Sequence, residues 1–138
     1  MSRGPENIFI ASVHRHLPAT LYRMKNHNEF NAGIADCWYS GTKADLWIEY
    51  KFLVLPVRDK TRISLTEGKN PAISDLQQDW LKSRAAEGRN VGVIVGSKDG
   101  GVWFVDTEWE TPFTAGEFRS WLASRAKLAQ RILTFVQR

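Results

Sequence analysis

The stretch Ala44 to Val54 constrains this chain more than any other, because it is apolar on two sides at once. Successive residues of an extended strand point to opposite faces. Leu46, Ile48, Tyr50 and Phe52 therefore share one face, and Trp47, Glu49, Lys51 and Leu53 share the other. A strand apolar on both faces is predicted to be central, with other elements packed on each side. On the second face Trp47 and Leu53 flank a carboxylate and an ammonium, about 7 Å apart by the usual rise per residue. Charges in such a place are costly unless they are paired or hold a metal.

The rest of the chain supplies the elements to cover that strand. Pro5 suits the first turn of a helix, and Ile10, Val13 and Leu17 follow at helical spacing until Pro18. Thr20 to Lys25 and Ala32 to Tyr39 read as strands, the second closed by the turn Ser40-Gly41-Thr42. Pro56 to Pro71 is polar, basic and irregular, and loops of that length are often functional. Ser74 to Glu87 reads as a helix ended by Gly88, opening on the capping-box pattern Ser74-Asp75-Leu76-Gln77. Val91 to Val95 and Gly101 to Val105 form a hairpin, and Thr114 to Val136 is helical with one break near Ala126. The order α-β-β-β-α-β-β-α predicts an α/β fold with a mixed central sheet flanked by helices. A length of 138 residues fits one domain, with a core over about 5–106 and a C-terminal helical segment over about 113–136.

Asp36 is predicted on a strand beside the one bearing Glu49, joined to it by a short turn. Two carboxylates meeting at one point make the hard-oxygen site that Mg²⁺ prefers. A lysine beside them, Lys51, positions water or holds a phosphate oxygen, which is the set of parts that metal-assisted phosphodiester hydrolysis needs. The alternative is purely structural, with both carboxylates at strand ends and Lys51 paired to one of them. Zinc is a poor fit. His14 and His16 are two apart on a helix and diverge, and Cys37 alternates away from Asp36 as a small buried hydrophobe. Trp47, Trp80, Trp103 and Trp121 occupy apolar positions expected in the core. Trp38 shares a face with Asp36, so it either packs in the core or lines the site and stacks on a base.

The net charge of +4 and pI near 9.4 permit a polyanionic partner. The basic residues Arg23, Lys25, Lys43, Arg58, Lys60 and Arg62, with His27, lie in the same half of the chain as the candidate chemistry. No apolar run approaches the ~20 residues that span a bilayer. The first ten residues lack the basic-then-apolar order of a signal peptide. Cys37 is the one cysteine and has no disulfide partner in the chain, so a cytoplasmic location is expected.

Gly33-Ile34-Ala35-Asp36, then Trp47-Ile48-Glu49-Tyr50-Lys51, then Ser74-x-x-Gln77-x-x-Trp80-Leu81, resemble the PD-(D/E)xK nuclease superfamily. Within it, the order from Glu6 to about Val95 is most similar to the stand-alone VRR-NUC branch, which is like Holliday junction resolvases. The resemblance implies a restriction-endonuclease-like αβββαβ core and a metal-dependent DNA endonuclease. It implies that Asp36, Glu49 and the backbone carbonyl of Tyr50 bind Mg²⁺, with Mn²⁺ able to substitute, and that Lys51 orients the attacking water. Glu6 would help to hold a second metal, and Gln77 would support the site. Each has a structural rival: Glu6 suits the positive first turn of a helix, and Gln77 suits the capping box. Ala35 stands where the family's proline is usual, and the insertion between Leu55 and Ile73 is outside its compact pattern. That insertion reads as a DNA-contacting loop or a dimer contact.

The expected substrate is branched DNA, a Holliday junction or flap, cut by a homodimer meeting around Phe118, Trp121 and Leu122. No membrane partner and no small-molecule cofactor are expected. The rival readings are a nicking or restriction-type nuclease on linear duplex, and a DNA-binding module that keeps the fold without cutting.

Overall fold

A computed structural model describes residues 4–26 and 33–137. Helix α1 spans Pro5–His14, with Pro5 in its first turn. Strands β1 (Tyr22–Lys25), β2 (Cys37–Ser40) and β3 (Asp45–Phe52) follow, then the short β4 (Arg62–Ile63). Helix α2 (Asp75–Ala86) leads to β5 (Val91–Ser97) and β6 (Gly100–Val105). A single 3₁₀ turn (Glu108–Glu110), β7 (Phe113–Thr114), α3 (Ala115–Trp121) and α4 (Arg125–Val136) complete the order.

The main sheet has the order β1-β2-β3-β5-β6. β3 lies at its centre, as its two apolar faces require, and pairs antiparallel with β2 and parallel with β5. The crossover through α2 is what makes the parallel pairing possible. The even face of β3, with Leu46, Ile48 and Tyr50, packs with α1 and α4 through Phe9, Ile10, Val13, Leu128 and Ile132. Trp47 and Leu53 pack on the odd face, with Leu81 of α2, Val91, Val93 and Val95 of β5, and Phe118 of α3. At Gly96 a Cβ would fall 2.6 Å from the ring of Phe9, so the missing side chain is what lets α1 lie flat on the sheet.

Several expectations are corrected. Residues 56–71 are not simply irregular, because Arg62 and Ile63 pair with Thr114 and Phe113 as a second, two-stranded sheet. The stretch is tied down further by Ala115 N–H donating to the Thr61 carbonyl and Gly116 N–H to that of Asp59, both at 2.9 Å. β2 begins at Cys37, so Asp36 stands in the bend just before the strand rather than within it. The C-terminal helix breaks between Trp121 and Arg125, earlier than Ala126, where Ser124 caps α4 by accepting from Lys127 N–H. Phe118 is wholly buried and cannot belong to an exposed dimer face, whereas Trp121 is 44% exposed. The fully buried tryptophan is Trp109, in the 3₁₀ turn, with its indole N–H on the Asp106 carbonyl. Among the described residues, no helix is long and apolar enough to cross a membrane.

Candidate active site

The ladder between β2 and β3 stops at the pair Cys37–Ile48. The next backbone N–H on that edge of β3 belongs to Tyr50, and the Asp36 carboxylate takes it at 2.9 Å through Oδ2. This contact fixes Asp36 beside Glu49. Gly33 sets the approach: it has φ +95°, and a Cβ there would lie 2.8 Å from the Leu76 carbonyl in the first turn of α2. The spacing Gly33-x-x-Asp36 therefore has a backbone reason, a left-handed turn passing close under a helix.

Glu49 is 1% exposed, and neither carboxylate oxygen has a hydrogen-bond donor among the described residues. Its carboxyl is pushed far above the usual range by burial first and by Asp36 next; Lys51 opposes the shift and Glu6 adds to it. Two carboxyls brought together out of water are costly unless a cation balances them. Glu6, half-buried in the first turn of α1, is raised by burial and by Asp36 and lowered by Lys51 and Lys25. Glu6, Asp36, Glu49, Lys51 and Lys25 thus share one local field. Lys25 Nζ also donates to Asn7 Oδ1 at 2.5 Å, next to Glu6. Asn7 carries no motif signal in the sequence and is found only through this contact.

The remaining candidates are more dispersed. Gln77 completes the capping box: its Oε1 accepts from Ser74 N–H at 3.0 Å while its own N–H donates to Ser74 Oγ at 3.2 Å. Lys43 precedes β3, eight residues before Lys51, and so lies at the other end of the strand, about 26 Å away by the rise per residue. Arg62 is held by Glu67 in a bidentate pair at 2.7 and 3.0 Å. Arg23 donates to the Pro18 and Leu21 carbonyls. Arg58 and Lys60 are exposed on the loop that follows β3, at the same end of the strand as Lys51. His27 lies outside the described residues.

On the opposite face of β3 is a second polar group with no sequence motif. His14 Nε2 and Tyr39 OH are 2.7 Å apart, and Tyr39 OH and Tyr50 OH are also 2.7 Å apart. Burial, followed by Arg23 and Lys25, lowers His14 to about 4. Burial raises both phenols and pushes the Cys37 thiol up to about 12. Next to the carboxylates on the site face, rings run in a row: Tyr22–Trp38 at 5.3 Å, Trp38–Trp47 at 6.0 Å and Trp47–Trp80 at 5.5 Å. Trp38 is half-buried and packs between Tyr22 and Trp47.

No protein-family model matches the chain, and no curated protein matches its sequence. Among solved structures it is similar to Hjc, a Holliday junction resolvase from the archaeal hyperthermophile Archaeoglobus fulgidus. The TM-score is 0.56 at 13% sequence identity, covering 92% of this chain and 97% of that one. The chain shares the resolvase fold. The likeness takes in the mixed five-stranded sheet and its flanking helices.

Proposed function

We propose that this chain is a Mg²⁺-dependent DNA endonuclease of the PD-(D/E)xK type, nearest the VRR-NUC branch, selective for branched DNA. The observation that carries this reading is the Glu49 carboxylate, buried beside Asp36 with both oxygens lacking a donor among the described residues. Unsatisfied buried acceptors are rare in folded proteins and call for a reason, and a hard divalent cation supplies one. Among the described residues no three Asp, Glu, His or Cys side chains form a ready metal cage. Mg²⁺ does not need one, since it keeps several waters and is commonly held by one or two carboxylates.

Asp36 spends Oδ2 on Tyr50 N–H, which leaves Oδ1 for the cation. Glu49 would contribute an oxygen, and the Tyr50 carbonyl would complete the protein's share. A bound divalent cation supplies Lewis-acid stabilisation of the charge that builds on the phosphoryl oxygens. Lys51, on the same face as Glu49, orients the attacking water or holds a non-bridging phosphate oxygen. Glu6, which shares the same field from α1, would assist a second cation. The resolvase fold supports a branched substrate, and a two-fold symmetric junction favours a homodimer. Lys25, Arg58 and Lys60 are the basic residues best placed to steer the phosphate backbone.

The test is cleavage of labelled four-way, flapped and linear DNA in Mg²⁺ and in Mn²⁺, with Glu49→Ala alongside. Junction cutting lost in Glu49→Ala supports the proposal. Equal cutting of linear duplex points to a nicking or restriction-type enzyme. Binding without cleavage in either metal reduces the chain to a DNA-binding module.

A further inference from the structure

Val54 and Val57 are 91% and 93% exposed, while the next most exposed large hydrophobic among the described residues, Tyr22, is at 62%. They lie in residues 53–61, which leave β3 directly after Lys51 and Phe52. Val54 is three residues beyond Lys51, about 10 Å of extended chain. The loop presenting them is held firmly. Arg119 of α3 donates to the Pro56 carbonyl and to Asp59, and Gly116 N–H donates to the Asp59 carbonyl at 2.9 Å. Thr61 N–H bonds the Arg58 carbonyl at 3.2 Å, closing the turn behind Val57. A β-branched apolar pair on a fixed backbone loses little entropy when it is inserted into a partner.

The surroundings select the partner. Between this loop and the β5–β6 turn lies a cleft of about 490 Å³, bordered by Phe52, Leu53, Leu55, Lys98 and Asp99 as well as the two valines. Asp59 is neutralised by Arg119. Lys98 and Asp99 balance within the cleft, and the exposed Arg58 and Lys60 on the loop beside it add two positive charges next to the valines. A second copy meeting this loop across a two-fold axis would set Arg58 and Lys60 against themselves. A polyanion with an apolar opening meets no such penalty, and DNA at a branch point offers one, where the stack of bases is interrupted. Apolar side chains wedged into a base step are a known means of holding bent or opened DNA.

Resting on the nuclease reading above, we propose that Val54 and Val57 form a wedge that enters the interrupted base stack at a DNA branch point and sets the preference for branched over linear substrate. The cleft beside them receives the displaced base.

The experiment uses the full chain on a four-way junction carrying 2-aminopurine at the branch, and on linear duplex of the same sequence. The parent protein raises 2-aminopurine fluorescence on the junction, and Val54→Ser/Val57→Ser does not. The ratio of junction to linear cleavage in Mg²⁺ falls about tenfold in that variant and recovers in Val54→Leu/Val57→Leu; the ratio cancels any loss of folded protein. An unchanged ratio and an unchanged fluorescence rise overturn the wedge and leave the nuclease reading standing. If the parent cuts neither substrate, the nuclease reading fails and the wedge fails with it. If the serine variant converts a dimeric parent to a monomer in gel filtration, the surface is a contact between copies and the wedge is overturned.

Discussion

The two faces of β3 each bury polar atoms, and they treat them in opposite ways. On the even face the Tyr50 phenol, the Tyr39 phenol and His14 form a closed chain of hydrogen bonds. On the odd face, one residue away, Glu49 is equally buried and has no donor among the described residues. A satisfied buried network specifies structure, whereas an unsatisfied one stores a cost that folding alone does not explain. On the proposed reading, the contrast separates residues that serve the fold from residues that serve a ligand, on one strand and within a few ångströms.

That contrast is most severely tested at Glu49. Glu49→Gln is expected to cut at least roughly 10³-fold more slowly, as the loss of several kcal/mol of metal-borne stabilisation requires. The same variant is expected to be more stable than the parent without metal, by roughly 1–3 kcal/mol at neutral pH. A thermal midpoint that falls instead, measured by calorimetry in chelator, would mean that Glu49 is structural. Tyr39→Phe should do the reverse. It leaves His14 and the Tyr50 hydroxyl without their shared partner and costs about 1–3 kcal/mol of stability. Its cleavage rate per folded molecule should stay within about threefold of the parent, against the roughly 10³-fold of Glu49→Gln.

The pH dependence sharpens the same comparison. Glu49 has its folded pKa raised, so its contribution to stability is full below the ordinary value of 4.5 and is lost as pH rises from there toward the folded value. His14 has its folded pKa lowered from 6.5 to about 4, so its contribution is present above 6.5 and is lost as pH falls toward 4. Between 4.5 and 6.5 the two slopes oppose each other. Above 6.5 the His14 contribution is full and no longer changes, so up to the range where Cys37 and the phenols titrate the slope is that of Glu49, and the metal-free protein should lose stability as pH rises. Saturating Mg²⁺ should flatten that slope, because the cation takes the place of the proton. A slope unchanged by Mg²⁺ in thermal scans would count against the metal site.

The smallest expected effect concerns the basic residues. Arg62 is already matched by Glu67. Arg62→Ala should therefore change the salt dependence of DNA binding less than Lys25→Ala or Arg58→Ala does. Equal changes in a fluorescence-anisotropy titration would mean that the Arg62–Glu67 pair opens on DNA.

Much of this arrangement was legible because it rests on local periods. The alternation over residues 44–54 placed Glu49 and Lys51 on the face opposite Tyr50, and Ser74 with Gln77 marked the start of α2 by their capping chemistry. Asp36 was correctly set beside Glu49, but its place in a bend, holding Tyr50 N–H, depends on where the β2–β3 ladder ends. What stayed hidden depends on distant partners. The pairing of residues 62–63 with 113–114 spans about fifty positions, and two-residue strands have too few side chains to show a period. Phe118 reads as part of a long C-terminal helix with a face free for a second copy, and only packing of the second sheet and α3 against β5 and β6 buries it. His14 looked like a failed metal ligand, and its partner, Tyr39, is twenty-five residues away.

The turn that launches β3 has one further consequence. Lys43 N–H and Ala44 N–H both donate to the carbonyl of Val136, at 2.8 and 3.1 Å, and Gly41 lies too close to that carbonyl for any side chain. During synthesis those two donors are left to water until residue 136 has been added, long after the strand itself exists. A nascent chain thus carries its candidate cutting strand with one end unfastened, and the final helix acts as the latch.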